Sequence, residues 1–118
     1  MAQRLGRAGE RLALEHYERL GYELVQRNYR TRSGELDLIV ADSQTIVFAE
    51  VKTRRRGGLD PLDSITPQKL RRLRRVAGEW LATQTTLPRR PELRFDAVAV
   101  VIDARGKLVA LEQLAGIG

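Results

Sequence analysis

Apolar positions along the chain recur with two different periods, and the change of period marks the elements. From Arg7 to Leu20 the spacing is helical: Leu5, Leu12, Ala13, His16 and Leu20 fall on one side, with Tyr17 at its margin. Gly21 follows as a C-cap. Tyr22 to Tyr29 alternates as a first strand, Tyr22, Leu24 and Gln26 against Glu23, Val25 and Arg27. Gly34 to Val40 and Ile46 to Thr53 are rich in apolar and β-branched residues and read as two further strands. Thr66-Pro67-Gln68-Lys69 is a helix start, with Thr as N-cap and Pro in the first turn. Leu70, Leu73, Ala77, Trp80 and Leu81 then share a face, while Arg71, Arg72 and Arg75 point away from it. Thr83 to Leu93, with Pro88 and Pro91, reads as a loop. Phe95 to Ile102 is nearly all apolar, as a strand buried on both faces is. A turn at Asp103-Ala104-Arg105-Gly106 leads to a short strand from Lys107 to Leu111, and Gln113 to Gly118 is expected to fray. Helix, three strands, helix and two strands predict one α/β domain over residues 1–118, a mixed five-stranded sheet flanked by helices.

Four polar residues interrupt the second and third strands: Glu35, Asp37, Glu50 and Lys52. Strand alternation places Glu35, Asp37 and Ile39 on one face and Leu36, Leu38 and Val40 on the other. In the third strand Phe48, Glu50 and Lys52 share a face, opposite Val47, Ala49 and Val51. The polar link Ala41-Asp42-Ser43-Gln44-Thr45 suits a hairpin turn. If Asp37 faces Glu50, then Ile39 faces Phe48. That register sets two carboxylates and an ammonium together on a mostly apolar sheet, where charge is costly unless compensated.

Composition narrows the compensation. The chain has 21 Lys and Arg against 15 Asp and Glu, a net charge of +6, which favours a polyanion partner and most simply nucleic acid. It has no cysteine, which excludes disulfides and thiolate metal sites and fits a reducing cytoplasm. A single histidine excludes metal sites built from several His. A metal would therefore be held mainly by oxygen, which points to Mg²⁺ or Mn²⁺. The N-terminus shows no secretory h-region, and no apolar run approaches the ~20 residues that span a bilayer. No membrane association is expected.

Two carboxylates one cross-strand spacing apart can chelate a hard cation, and their repulsion then favours binding. Lys52 can steady a water or a phosphate oxygen beside it. Such parts suit metal-assisted phosphodiester hydrolysis. The alternative is an Asp-Lys-Glu ion-pair network with a structural role only. Cations surround the hairpin: Arg30 lies before it, Arg54, Arg55 and Arg56 open a Gly-rich loop ending at Pro61, and Arg71, Arg72 and Arg75 line the helix back. Lys69 lies at the edge of that helix's apolar face and can reach around its N-terminus; Gln68 points elsewhere. Glu10, on periodicity alone, reads as a solvated acid. Asp96, inside the core-like strand, is expected to pair with Arg94 or another cation. His16 reads as a packed or half-exposed helix residue, a lone His being a weak catalytic signal.

Asp37, followed by Glu50-Val51-Lys52 on the next strand, resembles the active site of the PD-(D/E)XK nuclease superfamily. An acid on the preceding helix, here Glu10, is similar to its archaeal Holliday-junction resolvase branch. More closely, the chain resembles the bacterial YraN family. The likeness runs in order through Gly9-Glu10, Gly21-Tyr22, Arg27-Asn28-Tyr29-Arg30, Gly34-Glu35-Leu36-Asp37-Leu38-Ile39, Glu50-Val51-Lys52-Thr53-Arg54, Lys69, Arg72-Leu73 and Arg94-Phe95-Asp96. Leu36 stands where the superfamily pattern has Pro. The resemblance implies a restriction-endonuclease-like core and a Mg²⁺ site ligated by Asp37, Glu50 and the Val51 carbonyl. It makes Lys52 the water-orienting or charge-stabilising group, Glu10 an additional acid, and Glu35 a secondary acid near the site. Resolvase relatives are two-fold dimers, so a homodimer is a further implication. The resulting expectation is a Mg²⁺-dependent endonuclease acting on structured or branched DNA. The alternatives are a non-cleaving nucleic-acid-binding module of the same fold and an interaction protein whose charged hairpin is structural.

Overall fold

The computed structural model describes residues 2–57, 65–87 and 91–117, with side chains from Gly6 onward. Helix α1 (Ala2–Arg19) precedes a β-meander of β1 (Glu23–Thr31), β2 (Gly34–Ala41) and β3 (Thr45–Arg55). Helix α2 (Pro67–Thr83) then crosses to β4 (Glu92–Ile102), and β5 (Leu108–Leu114) completes the sheet. Spatial order is β1-β2-β3-β4-β5. Only the β3–β4 pair is parallel, which is why a helical crossover separates those two strands.

The two helices cover opposite faces. Leu12, Ala13 and Tyr17 of α1 pack on Leu38, Val40, Val47, Ala49, Val51, Val98 and Val100. Leu73, Val76, Ala77 and Trp80 of α2 pack on Leu36, Ile39, Ile46 and Phe48. The alternation of β3 between the two clusters is the period-2 rule at work: odd residues face α1 and even ones face α2. Close approach of α1 to β3 depends on Gly9, because a Cβ there would collide with the Thr53 side chain. Helix α2 starts at its expected cap, with Thr66 Oγ1 accepting from Lys69 N at 3.2 Å. Glu79 ties it to the β1–β2 turn, accepting from Thr31 Oγ1 at 2.8 Å and Ser33 Oγ at 3.1 Å.

Several expectations change in detail. Tyr17 is fully buried at the centre of the α1 face, whereas Leu20 is 55% exposed; Leu20 lies past the helix, where the chain has already turned. The Leu5 side chain and Pro88 lie outside the described residues, as do Gly58, Leu59, Asp60 and Pro61 of the basic loop. Arg54 and Arg55 belong to β3, paired with Val101 and Ile102 of β4, so the loop begins only at Arg56. Strand β4 begins at Glu92, inside the expected loop, because its first residues pair with Thr45 and Ile46. The stretch from Gln113 to Ile117 is tethered rather than frayed: Gly116 N donates to Asp96 Oδ1 at 3.1 Å and Ile117 N to Phe95 O at 2.8 Å.

Candidate functional site

The predicted register holds, with Ile39 opposite Phe48, but the β2–β3 ladder stops at Leu38↔Ala49. Beyond that point β2 stays with β1 and β3 stays with β4. A notch therefore opens between two strand pairs, at the position where Asp37 and Glu50 would have been partners. Asp37 fills it. Its Oδ2 accepts from Val51 N at 2.7 Å, replacing a ladder bond with a side-chain bond. Leu36 and Leu38 consequently pack in different cores, Leu36 against α2 and Leu38 against α1. This corrects the expectation that both share one face. The break in the pleat coincides with Asn28, which stands across from Asp37 between the pairs Arg27↔Leu38 and Tyr29↔Leu36, with a left-handed φ of 53°.

Asp37 is buried, with 8% of its surface exposed. Burial pushes its pKa up from 3.8 to about 7, and the Glu50 charge adds to the rise, with smaller contributions from Glu10 and Glu35; the Val51 N–H opposes it. Glu10 is also raised, first by burial and then by Glu35, while the Asn28 amide and Arg27 pull it down. Four acids therefore act on one another around the notch.

On the α2 side lies a cleft of about 210 Å³ lined by Gly34, Glu35, Glu50, Lys52, Lys69 and Arg72, with Leu73 at its wall. Lys52 Nζ pairs with Glu50 Oε1 at 2.9 Å, and both side chains are largely shielded. Arg72 is brought to the cleft rather than pointing away from it. Its stem crosses Gly34, where a Cβ would lie 3.0 Å from Arg72 Cδ. Glu35 is half exposed and pairs with Arg30 Nε at 3.0 Å. On the α1 side a second depression is lined by Glu10 and Asn28 together with Arg7, Arg11 and Arg27.

The fold thus gathers Glu35, Glu50, Lys52, Lys69 and Arg72 in one cleft, with Asp37 in the notch and Glu10 in the adjoining depression. Gln68 is exposed and lines neither depression; Arg71 and Arg75 are exposed on the outer side of α2. Arg55 and Arg56 are exposed where β3 ends. Arg54 is half-buried, and its Nε has no hydrogen-bond partner among the described residues. The contribution of Asn28 is not visible from periodicity; its signals are its place in the family stretch Arg27-Asn28-Tyr29-Arg30 and its being a turn-favouring residue inside a strand.

The donor set fits a hard divalent cation in kind. Asp37 has one backbone donor and acidic neighbours, so a cation would relieve both its burial and its repulsion. In a strand, the N–H and C=O of one residue point to the same side, so the Val51 carbonyl is directed to the notch along with its N–H. Among the described residues no three Asp, Glu or His side chains already converge as a preformed ligand cage.

Asp96 answers differently. It is fully buried and accepts from Arg94 Nε and Nη2, both at 2.9 Å, from Tyr17 Oη at 2.8 Å, from Gln113 Nε2 at 3.0 Å and from Gly116 N at 3.1 Å. Burial pushes this carboxyl up, but the Arg94, Tyr17 and Gly116 donors outweigh it and hold it below the ordinary range. The expected pairing with Arg94 is present, and Asp96 is a structural hub.

A mixed five-stranded sheet between two helices, notched where acidic residues meet, is an α/β architecture consistent with a restriction-endonuclease-like core. Residues 9–100 match the model of the uncharacterised protein family UPF0102, and the chain belongs to that family, the YraN family. A UPF0102 protein of Corynebacterium efficiens is 47% identical over 116 residues, covering 98% of this chain and 92% of the relative. UPF0102 proteins of Kineococcus radiotolerans and Mycobacterium avium are 41% and 44% identical, covering 96% and 97% of this chain and 92% and 89% of those relatives. None of these names states an activity. Among the described residues, no helix is long and apolar enough to cross a membrane.

Proposed function

We propose that the protein is a Mg²⁺-dependent endonuclease that hydrolyses phosphodiester bonds in structured or branched DNA. The observation that carries this reading is Asp37: a buried carboxylate with, among the described residues, a single backbone donor, beside Glu50 and next to a cleft lined by Lys52, Lys69 and Arg72. Asp37, Glu50 and the Val51 carbonyl would hold the cation, with Glu10 approaching from α1. When bound, Mg²⁺ supplies Lewis-acid polarisation of a phosphate oxygen and acidifies a water. Lys52, beside Glu50 at 2.9 Å, would hold a phosphate oxygen or orient the attacking water. Lys69 and Arg72 grip phosphates along the cleft, and Arg7, Arg11 and Arg27 offer further positive charge beyond the notch. Few aromatic side chains are available for stacking, so readout is by backbone and shape.

A second reading, a non-cleaving nucleic-acid-binding module working within a larger complex, is favoured by one observation: Lys52 pairs directly with Glu50 at 2.9 Å, so the ammonium already balances that carboxylate. Incubation with junction, flap, single-stranded and linear DNA in Mg²⁺ or Mn²⁺ separates the two. The nuclease reading predicts cleavage of branched substrates that falls at least ~100-fold in Asp37→Asn and in Lys52→Ala, an order of magnitude typical of losing a charge-stabilising group. Salt-dependent binding of DNA without cleavage of any substrate would support the module instead.

A further inference from the structure

Among the described residues, Asn28 is the only non-glycine with a left-handed backbone. It lies inside β1, not in a turn. Such a conformation is uncommon outside glycine, and Asn is among the residues that adopt it most readily. Strain of this kind persists only where the surroundings enforce it, and it clusters at functional sites. Here it falls across from Asp37, where the pleat breaks and the β2–β3 ladder ends. The side chain has a definite target. With its nitrogen turned toward α1, the Asn28 amide donates to Glu10 Oε2 at 3.2 Å and Oε1 at 3.3 Å. Glu10 shares its depression with Arg7, Arg11 and Arg27; Arg11 is paired with Glu15 at 3.3 Å, and Arg27 attracts the Glu10 carboxylate in competition with the amide.

We propose that Asn28 is a positioning residue. Its left-handed backbone turns the amide onto Glu10 and holds that carboxylate beside Asp37, so that α1 contributes an oxygen ligand, direct or through water, to the cation site. The inference rests on the metal-site reading above. It assigns to Asn28 no contact with substrate or cation; the residue acts through Glu10.

Asn28→Gly separates the two properties of the residue, because Gly keeps the left-handed backbone and removes the amide. Mn²⁺ is titrated calorimetrically at one fixed pH into wild type, Asn28→Gly, Glu10→Gln and the double variant, with urea unfolding of each. We expect Asn28→Gly to bind Mn²⁺ about 10-fold more weakly, as loss of an outer partner of a ligand does, with its urea midpoint kept. We expect the double variant to bind no more weakly than Glu10→Gln alone. Wild-type affinity in Asn28→Gly, or losses that multiply in the double variant, would overturn the inference while leaving the metal site standing. If wild type itself binds no Mn²⁺, the site reading and this inference fall together. Should Asn28→Gly lower the urea midpoint, the double variant still decides: a general loosening multiplies with Glu10→Gln, and a loss routed through Glu10 does not.

Discussion

Asp37 on β2 and Asp96 on β4 flank the same central strand, and both are buried. Around Asp96 the fold supplies a guanidinium, a phenol, an amide and a backbone N–H, and its carboxyl is held below the ordinary range despite burial. Around Asp37 it supplies one backbone N–H and three acidic neighbours, and the pKa is pushed up to about 7. A chain able to build the first environment had the means to neutralise the second. The contrast is that Asp96 is met by donors of the protein itself, whereas Asp37 is met by one N–H and by acids, and this difference is what the proposed cation site rests on. Their pH dependences have opposite signs. A depressed carboxyl stabilises the fold above its unfolded pKa and loses that contribution as pH falls through the folded value; a raised one stabilises below its unfolded pKa and loses the contribution as pH rises through the folded value.

The largest effect belongs to Asp96. Asp96→Ala leaves the Arg94 guanidinium and the Tyr17 hydroxyl without their acceptor, and urea unfolding should show a loss of about 3–5 kcal/mol, as for breaking a buried ion pair from one side. A loss under about 1 kcal/mol, the scale of a surface pair, would remove the distinction between the two sites.

Next in size is Asp37→Asn, with the opposite sign. Without divalent cation, the variant should be more stable than wild type at pH 8 by about 2 kcal/mol, part of the roughly 4 kcal/mol that three pKa units represent. At pH 4, where Asp37 is protonated in the fold, the difference should shrink toward zero. The window follows from the unfolded value of 3.8 and the folded value of about 7. Equal stability of the two proteins across pH 4 to 8 would show that Asp37 is not strained by burial and repulsion.

Much of this is legible in the sequence, and the gaps have physical causes. The Ile39–Phe48 register follows from alternation and loop length, since a one-residue slip would turn every core side chain outward. The N-cap at Thr66 and the Arg94–Asp96 pair are readable from local chemistry. Alternation misplaces Leu36 because it assumes an unbroken pleat, and the break at Asn28 and Asp37 is set by a backbone conformation that no period reveals. Periodicity alone leaves Glu10 as a solvated acid. Only the family resemblance moves it toward the site, where the fold couples it electrostatically to Asp37. An ideal helix puts Arg72 on the back of α2; its long stem folds over Gly34 instead. The residues after β5 look ready to fray in the sequence because their tethers, to Asp96 and Phe95, come from a distant part of the chain.

The central claim is that the unsatisfied charge of Asp37 is kept for a divalent cation, and calorimetric titration of Mn²⁺ at pH 6 and pH 8 tests it most directly. The account predicts saturable one-site binding to wild type that tightens from pH 6 to pH 8 as Asp37 ionises, and that disappears in Asp37→Asn. Heats no greater than dilution in wild type, or binding that is equal in Asp37→Asn, would contradict it.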